Sequence, residues 1–83
     1  MSESRPLSEL NPGDHGVITA VHGPQDLGKR LTALGFSIGR PFRLLRRARL
    51  RGPLHVRLGT TDVALRRAEA AGIHVRLAAP ETA

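Results

Sequence analysis

Residues 54–59 read LHVRLG, with Leu54, Val56 and Leu58 alternating against His55 and Arg57. Successive side chains of a strand point to opposite faces, so this spacing predicts a strand with one apolar side. IHVRLA repeats the pattern, with Ile73, Val75 and Leu77 inward. GVITAVHG, β-branched and closed by Gly23-Pro24, predicts an earlier strand over about residues 15–22. PFRLLRRAR alternates imperfectly from residue 41, with Phe42 and Leu44 on one face and Arg43 on the other. VALRR reads as a short strand after a turn at Gly59-Thr60-Thr61-Asp62, and AEAAG as one turn of helix.

The period changes in QDLGKRLTALGF. Leu27, Leu31 and Leu34 fall at i, i+4 and i+7, the stripe of a short helix. Asp26 is its predicted N-cap, and Gly35 sits where a left-handed residue ends a helix. Phe36 then packs back on Leu31. Asn11-Pro12-Gly13-Asp14 and Gly52-Pro53 mark turns. Together these elements predict a mainly β domain. Five short strands form a small bent barrel, and the helix is inserted between the first and second. The domain spans residues 7–78, between a disordered polar tail at 1–6 and a C-terminal tail at 79–83.

Composition narrows the chemistry. The chain has 83 residues and no cysteine, which removes disulfides, thiolate metal sites and cysteine nucleophiles. MSESRPLSELNPGD lacks the apolar core of a signal peptide, and no apolar run is long enough for a membrane span, so a soluble cytoplasmic protein is expected. There is no G-x-S-x-G elbow, phosphate-binding glycine loop, dinucleotide fingerprint or H-E-x-x-H, and the seven carboxylates fall in no catalytic motif. The sequence points away from an enzyme.

The net charge of +6 comes from thirteen basic residues, all arginine except Lys29, and favours an anionic partner. Five of the arginines lie in RLLRRARLRG, residues 43–52. Single-stranded nucleic acid readers add aromatic platforms for the bases, and here only Phe36 and Phe42 exist, both better placed in a core. On a regular strand Arg43, Arg47, Arg49 and Arg51 share a face, while Arg46 opposes them unless a bulge intervenes near Leu44-Leu45. A charged strand that resists edge pairing accounts for the run more readily than an acidic protein partner does, and nucleic acid less readily than either. Of the four histidines, no two stand two or four residues apart. Antiparallel pairing of the first and last strands would bring His22 near His74, a loose site for Fe²⁺ or Zn²⁺ at a surface. No cofactor is required.

The order of these pieces resembles the FeoA family, small accessory proteins of bacterial ferrous iron uptake. The resemblance rests on Leu31-Thr32-Ala33-Leu34-Gly35 followed by Gly39, on Ala48, Leu50, Pro53 and Leu54, and on Ala64-Leu65-Arg66 with Glu69-Ala70. Leu7, Leu10, Pro12-Gly13 and Gly16 match its start, so it covers roughly residues 7–77. The sequence departs from the pattern at the hairpin, where Arg49 replaces a common proline and Arg51-Gly52 stand where glycine-aspartate is frequent. The resemblance implies an SH3-like barrel and an adaptor, monomeric or weakly dimeric. Its expected target is a FeoB-type permease with a GTP-hydrolysing domain, which would recruit it to the inner face of the membrane. The expected contact is an apolar groove beside the helix with arginines at its rim, using Lys29, Arg30, Arg43, Arg47, Arg49 and Arg51. Two rival classes are a basic SH3-like nucleic-acid module and a metal-sensing module like those of iron-dependent repressors.

Overall fold

The computed structural model describes residues 4–78. Strands β1 (Ser4–Pro6), β2 (His15–Val21), β3 (Pro41–Arg47), β4 (Leu54–Leu58), β5 (Thr61–Leu65) and β6 (Ile73–Leu77) form one antiparallel sheet in the order β1-β6-β2-β3-β4-β5. Helix α1 (Gln25–Ala33) joins β2 to β3, and α2 (Arg67–Ala71) joins β5 to β6. The mainly β architecture is as expected, with six strands instead of five.

The added strand is β1. Residues 4–6, expected in a disordered tail, pair with β6 through Ser4↔Arg76, Arg5↔Val75 and Pro6↔His74. Proline can sit there because β1 is an edge strand, where a missing N–H breaks no ladder. Residues 1–3 and 79–83 lie outside the described residues. The helix therefore follows the second strand, not the first, although its place in the chain is the expected one. The turn before β5 is also shorter than the sequence suggests. Leu58 pairs with Thr61, so only Gly59-Thr60 turn the chain, and Thr61 and Asp62 join the strand.

Alternation sets the interior. Leu54, Val56 and Leu58 from β4 meet Ile73 and Val75 from β6, Ile18 from β2 and Phe42 and Leu44 from β3 in one buried cluster. Leu31 closes it from α1, with Leu27 packed at the margin. Leu34, the third residue of the expected stripe, is exposed at the helix end.

Helix α1 starts without a side-chain cap. Pro24 holds the N-cap position instead of Asp26, because its ring fixes φ at −54° and admits the chain to the helix two residues early. Asp26 falls in the first turn, where its charge suits the positive end of the helix. The C-terminus ends as predicted. Gly35, at φ +108°, donates to the Thr32 carbonyl at 3.0 Å, and the Phe36 N–H reaches Leu31 at 2.9 Å, the two bonds of a Schellman ending. Gly28 is the weak point: glycine in a helix costs about 1 kcal/mol relative to alanine, and a Cβ there meets nothing within 4 Å. Gly28→Ala is expected to raise stability by about 0.4–1 kcal/mol, read as a higher urea midpoint at unchanged slope.

Candidate partner-binding surface

The arginine run is divided by a bulge. The register of β3 on β4 slips between Leu44, opposite Val56, and Arg46, opposite His55, so Leu45 is the extra residue. Arg43 and Arg46 are both exposed, while Arg47 faces buried Leu54 across the ladder. Its Nη1 donates to the Leu10 carbonyl oxygen at 2.6 Å, half-buried. A guanidinium held in this way ties the N-terminal segment to β3 through one of its five N–H donors.

Arg43 lies directly across from Arg57, a like-charge pair that alone would repel. Asp62 relieves it. The carboxylate accepts from Arg57 Nε at 2.8 Å and Nη2 at 3.1 Å, the two-pronged geometry that suits guanidinium and carboxylate. The hydrogen bonds from Arg57 hold the Asp62 carboxyl below its ordinary range, and the same contact raises Arg57. Arg43 keeps only a long 3.4 Å contact to the Gly13 carbonyl oxygen.

The β3–β4 hairpin turns on Arg49-Leu50-Arg51-Gly52. Gly52 N–H donates to the Arg49 oxygen at 3.1 Å and Ala48 N–H to Pro53 at 3.0 Å. Leu50 and Arg51 both take left-handed backbone, at φ 56° and 63°. Two central residues with positive φ define the hairpin turn that asparagine-glycine normally fills. For ordinary L-residues that conformation costs roughly 1–2 kcal/mol each. Gly52 is needed for a different reason, since a Cβ there would lie 2.5 Å from that of Ala48. The turn leaves Leu50 98% exposed.

Two grooves flank these elements. The first, of about 600 Å³, is lined by Arg30, Arg51, Gly52, Pro53, Ala64, Leu65, Arg66, Arg67, Ala68 and Glu69. Glu69 is buried and fully used. One carboxylate oxygen accepts the Arg66 N–H at 2.9 Å at the start of α2, and the other pairs with Arg30 at 2.9 Å. Arg51, Arg66 and Arg67 remain to make the groove cationic over an apolar floor of Pro53, Ala64 and Leu65. The second groove, about 630 Å³ between β2 and α1, is lined by Val21, Gln25, Gly28, Lys29, Thr32 and Ala33. The single surface expected beside the helix is thus two surfaces. Lys29 rims the apolar groove, while Arg30 and Arg51 belong to the cationic one. Arg43 stands on the sheet, and Arg49 on the hairpin.

The FeoA domain family matches residues 5–77. The chain belongs to the FeoA family. A segment of a Porphyromonas gingivalis protein, described as a fusion of Fe(2+) transport protein A with the Fe(2+) transporter FeoB, is 41% identical over 71 residues. That match covers 86% of this chain but only 8% of the fusion protein. Stenotrophomonas maltophilia FeoA, solved with zinc and described as a procaryotic SH3 domain protein, is 33% identical with a TM-score of 0.72, over 90% of this chain and 88% of that one. A manganese-dependent transcriptional repressor superposes at TM-score 0.86 over 94% of this chain and 44% of its own. At 22% identity it shares the fold alone. The SH3-like assignment holds.

In this FeoA domain the β2–β6 pairing sets His22 and His74 edge to face, with ring centroids 5.0 Å apart. Among the described residues no group of three or more histidine, cysteine, aspartate or glutamate side chains could hold a metal ion. The pair supplies two imidazoles, against the three or four protein ligands that a zinc centre usually has. None of the described helices is long and apolar enough to cross a membrane. Three features of the surface escape a linear reading of the sequence: Arg66 and Arg67 in the cationic groove, and the outward side chain of Leu50.

Proposed function

We propose that this chain is an adaptor of bacterial ferrous iron uptake that regulates a FeoB-type permease by direct contact from the cytoplasmic side. The observation that carries this reading is the Porphyromonas gingivalis relative, in which an FeoA-like segment and FeoB share one polypeptide. Covalent linkage raises the effective concentration of two modules that work on each other, usually to the millimolar range. An excess of six positive charges and the cationic groove support contact with an acidic protein surface, which such charges steer and orient.

The test is an NMR titration of the labelled protein with the GTP-hydrolysing domain of the cognate permease at near-physiological salt, followed by the intact permease. Saturable shifts confined to one face are expected. No shifts with either form would overturn the proposal, and a steeply salt-dependent response to RNA in its place would favour a nucleic-acid module.

A further inference from the structure

From the geometry of the β3–β4 hairpin we infer that its tip is a docking knob. Leu50 enters an apolar socket on an acidic cytoplasmic surface of the permease, while Arg49 and Arg51 engage the acidic rim. The inference rests on the adaptor reading above and names the contact through which it acts.

An exposed leucine alone means little, because single apolar side chains are common on protein surfaces. Here two features converge on one. The tip adopts left-handed backbone at Leu50 and again at Arg51, where asparagine and glycine would fit without strain. Its apolar side chain is 98% exposed and makes no contribution to the core. Residues that burden the folded state and pack against nothing within it are explained by what they touch outside it.

Charge identifies the occupant. Arg49 and Arg51 flank the leucine, and Arg51 also lines the cationic groove beside Arg66 and Arg67. The only carboxylate lining that groove among the described residues, Glu69, is committed to Arg30 and to the Arg66 N–H. An acidic surface laid along the groove would neutralise arginines that, among the described residues, pair with no carboxylate, and it would carry the tip to its socket. A central apolar anchor ringed by polar contacts is the usual arrangement of a protein interface.

The deciding variant is Leu50→Asn, since asparagine tolerates the left-handed turn and so keeps or improves the fold. Its Tm is expected to rise by about 4–8 °C, and its affinity for the intact permease in neutral-lipid nanodiscs to fall about tenfold or more. Loss of binding by a protein that melts higher cannot be a folding defect. Unchanged affinity of the variant, with the wild type still binding, would overturn the knob and leave the adaptor standing. Failure of the wild type itself to bind would overturn both. Leu50-dependent binding to phosphatidylserine vesicles, with permease affinity unchanged by the substitution, would also overturn it and assign the tip to an anionic bilayer.

Discussion

Phe36→Ala is expected to destabilise the domain by about 3–5 kcal/mol, the usual range for removing a buried phenylalanine. Domains of this size have a total stability of roughly 0.05–0.15 kcal/mol per residue, so the loss is a large fraction of the whole. The side chain is fully buried and belongs to the same cluster as Leu31, Leu58 and Ile18. It also stands at the exit of α1, where its N–H closes on Leu31 at 2.9 Å. The loss therefore opens a cavity and loosens the last turn of the only helix that closes the barrel between β2 and β3. Beyond it, Gly39 donates to the Ile18 oxygen at 2.7 Å and Ile18 to the Arg40 oxygen at 3.0 Å. Those bonds hold the next loop against β2 and limit how far the site can collapse to refill the cavity. Urea unfolding followed by circular dichroism measures the change. A shift below about 1 kcal/mol would mean that the interior repacks around the missing ring.

The same residue shows which parts of the structure were legible in the sequence. Leu31, Leu34-Gly35 and Phe36 specify a helix ending through neighbours a few positions apart, and local spacing is what a sequence displays. The alternation in LHVRL was legible for the same reason. Strand β1 was not, because Ser4-Arg5-Pro6 has no β-branched residue, and its extended form is imposed by β6 across the sheet. The Leu44-Leu45 pair hinted at a bulge, two adjacent leucines where an alternating strand wants one. Only the register on β4 shows which arginines it turns outward, and only the folded chain brings Arg47 to the Leu10 carbonyl. The cationic groove lies further from view. Arg51 and Arg66 meet because the β3-β4-β5 meander folds the hairpin back toward α2, and the ion pair of Arg30 with Glu69 crosses 39 residues of chain.

Gly16→Ala should cost roughly 3 kcal/mol, from a single added methyl group. Gly16 lies in β2 between two partners, Phe42 on β3 and Leu77 on β6. A Cβ there would stand 2.0 Å from the Arg76 carbonyl oxygen, 2.8 Å from Leu77 Cα and 2.9 Å from the Arg76 carbonyl carbon. All three are main-chain atoms, so no side chain can rotate away, and β6 itself has to retreat. That retreat would pull Val75 and Ile73 from the core and strain the β1 pairing on the far edge of β6. Overpacking usually costs about 1–3 kcal/mol, and an obstacle made of backbone belongs at the upper end. For a domain of this size the corresponding fall in Tm is about 12–24 °C. Gly28→Ala makes the matched control, since the same methyl group enters open space there and the sign reverses. Amide exchange would locate the damage in β6 and β1 and leave the β3–β4 hairpin protected. A fall of only a few degrees would instead mean that β2 bends away at its own irregularity between Ile18 and Ala20, absorbing the methyl group without parting from β6.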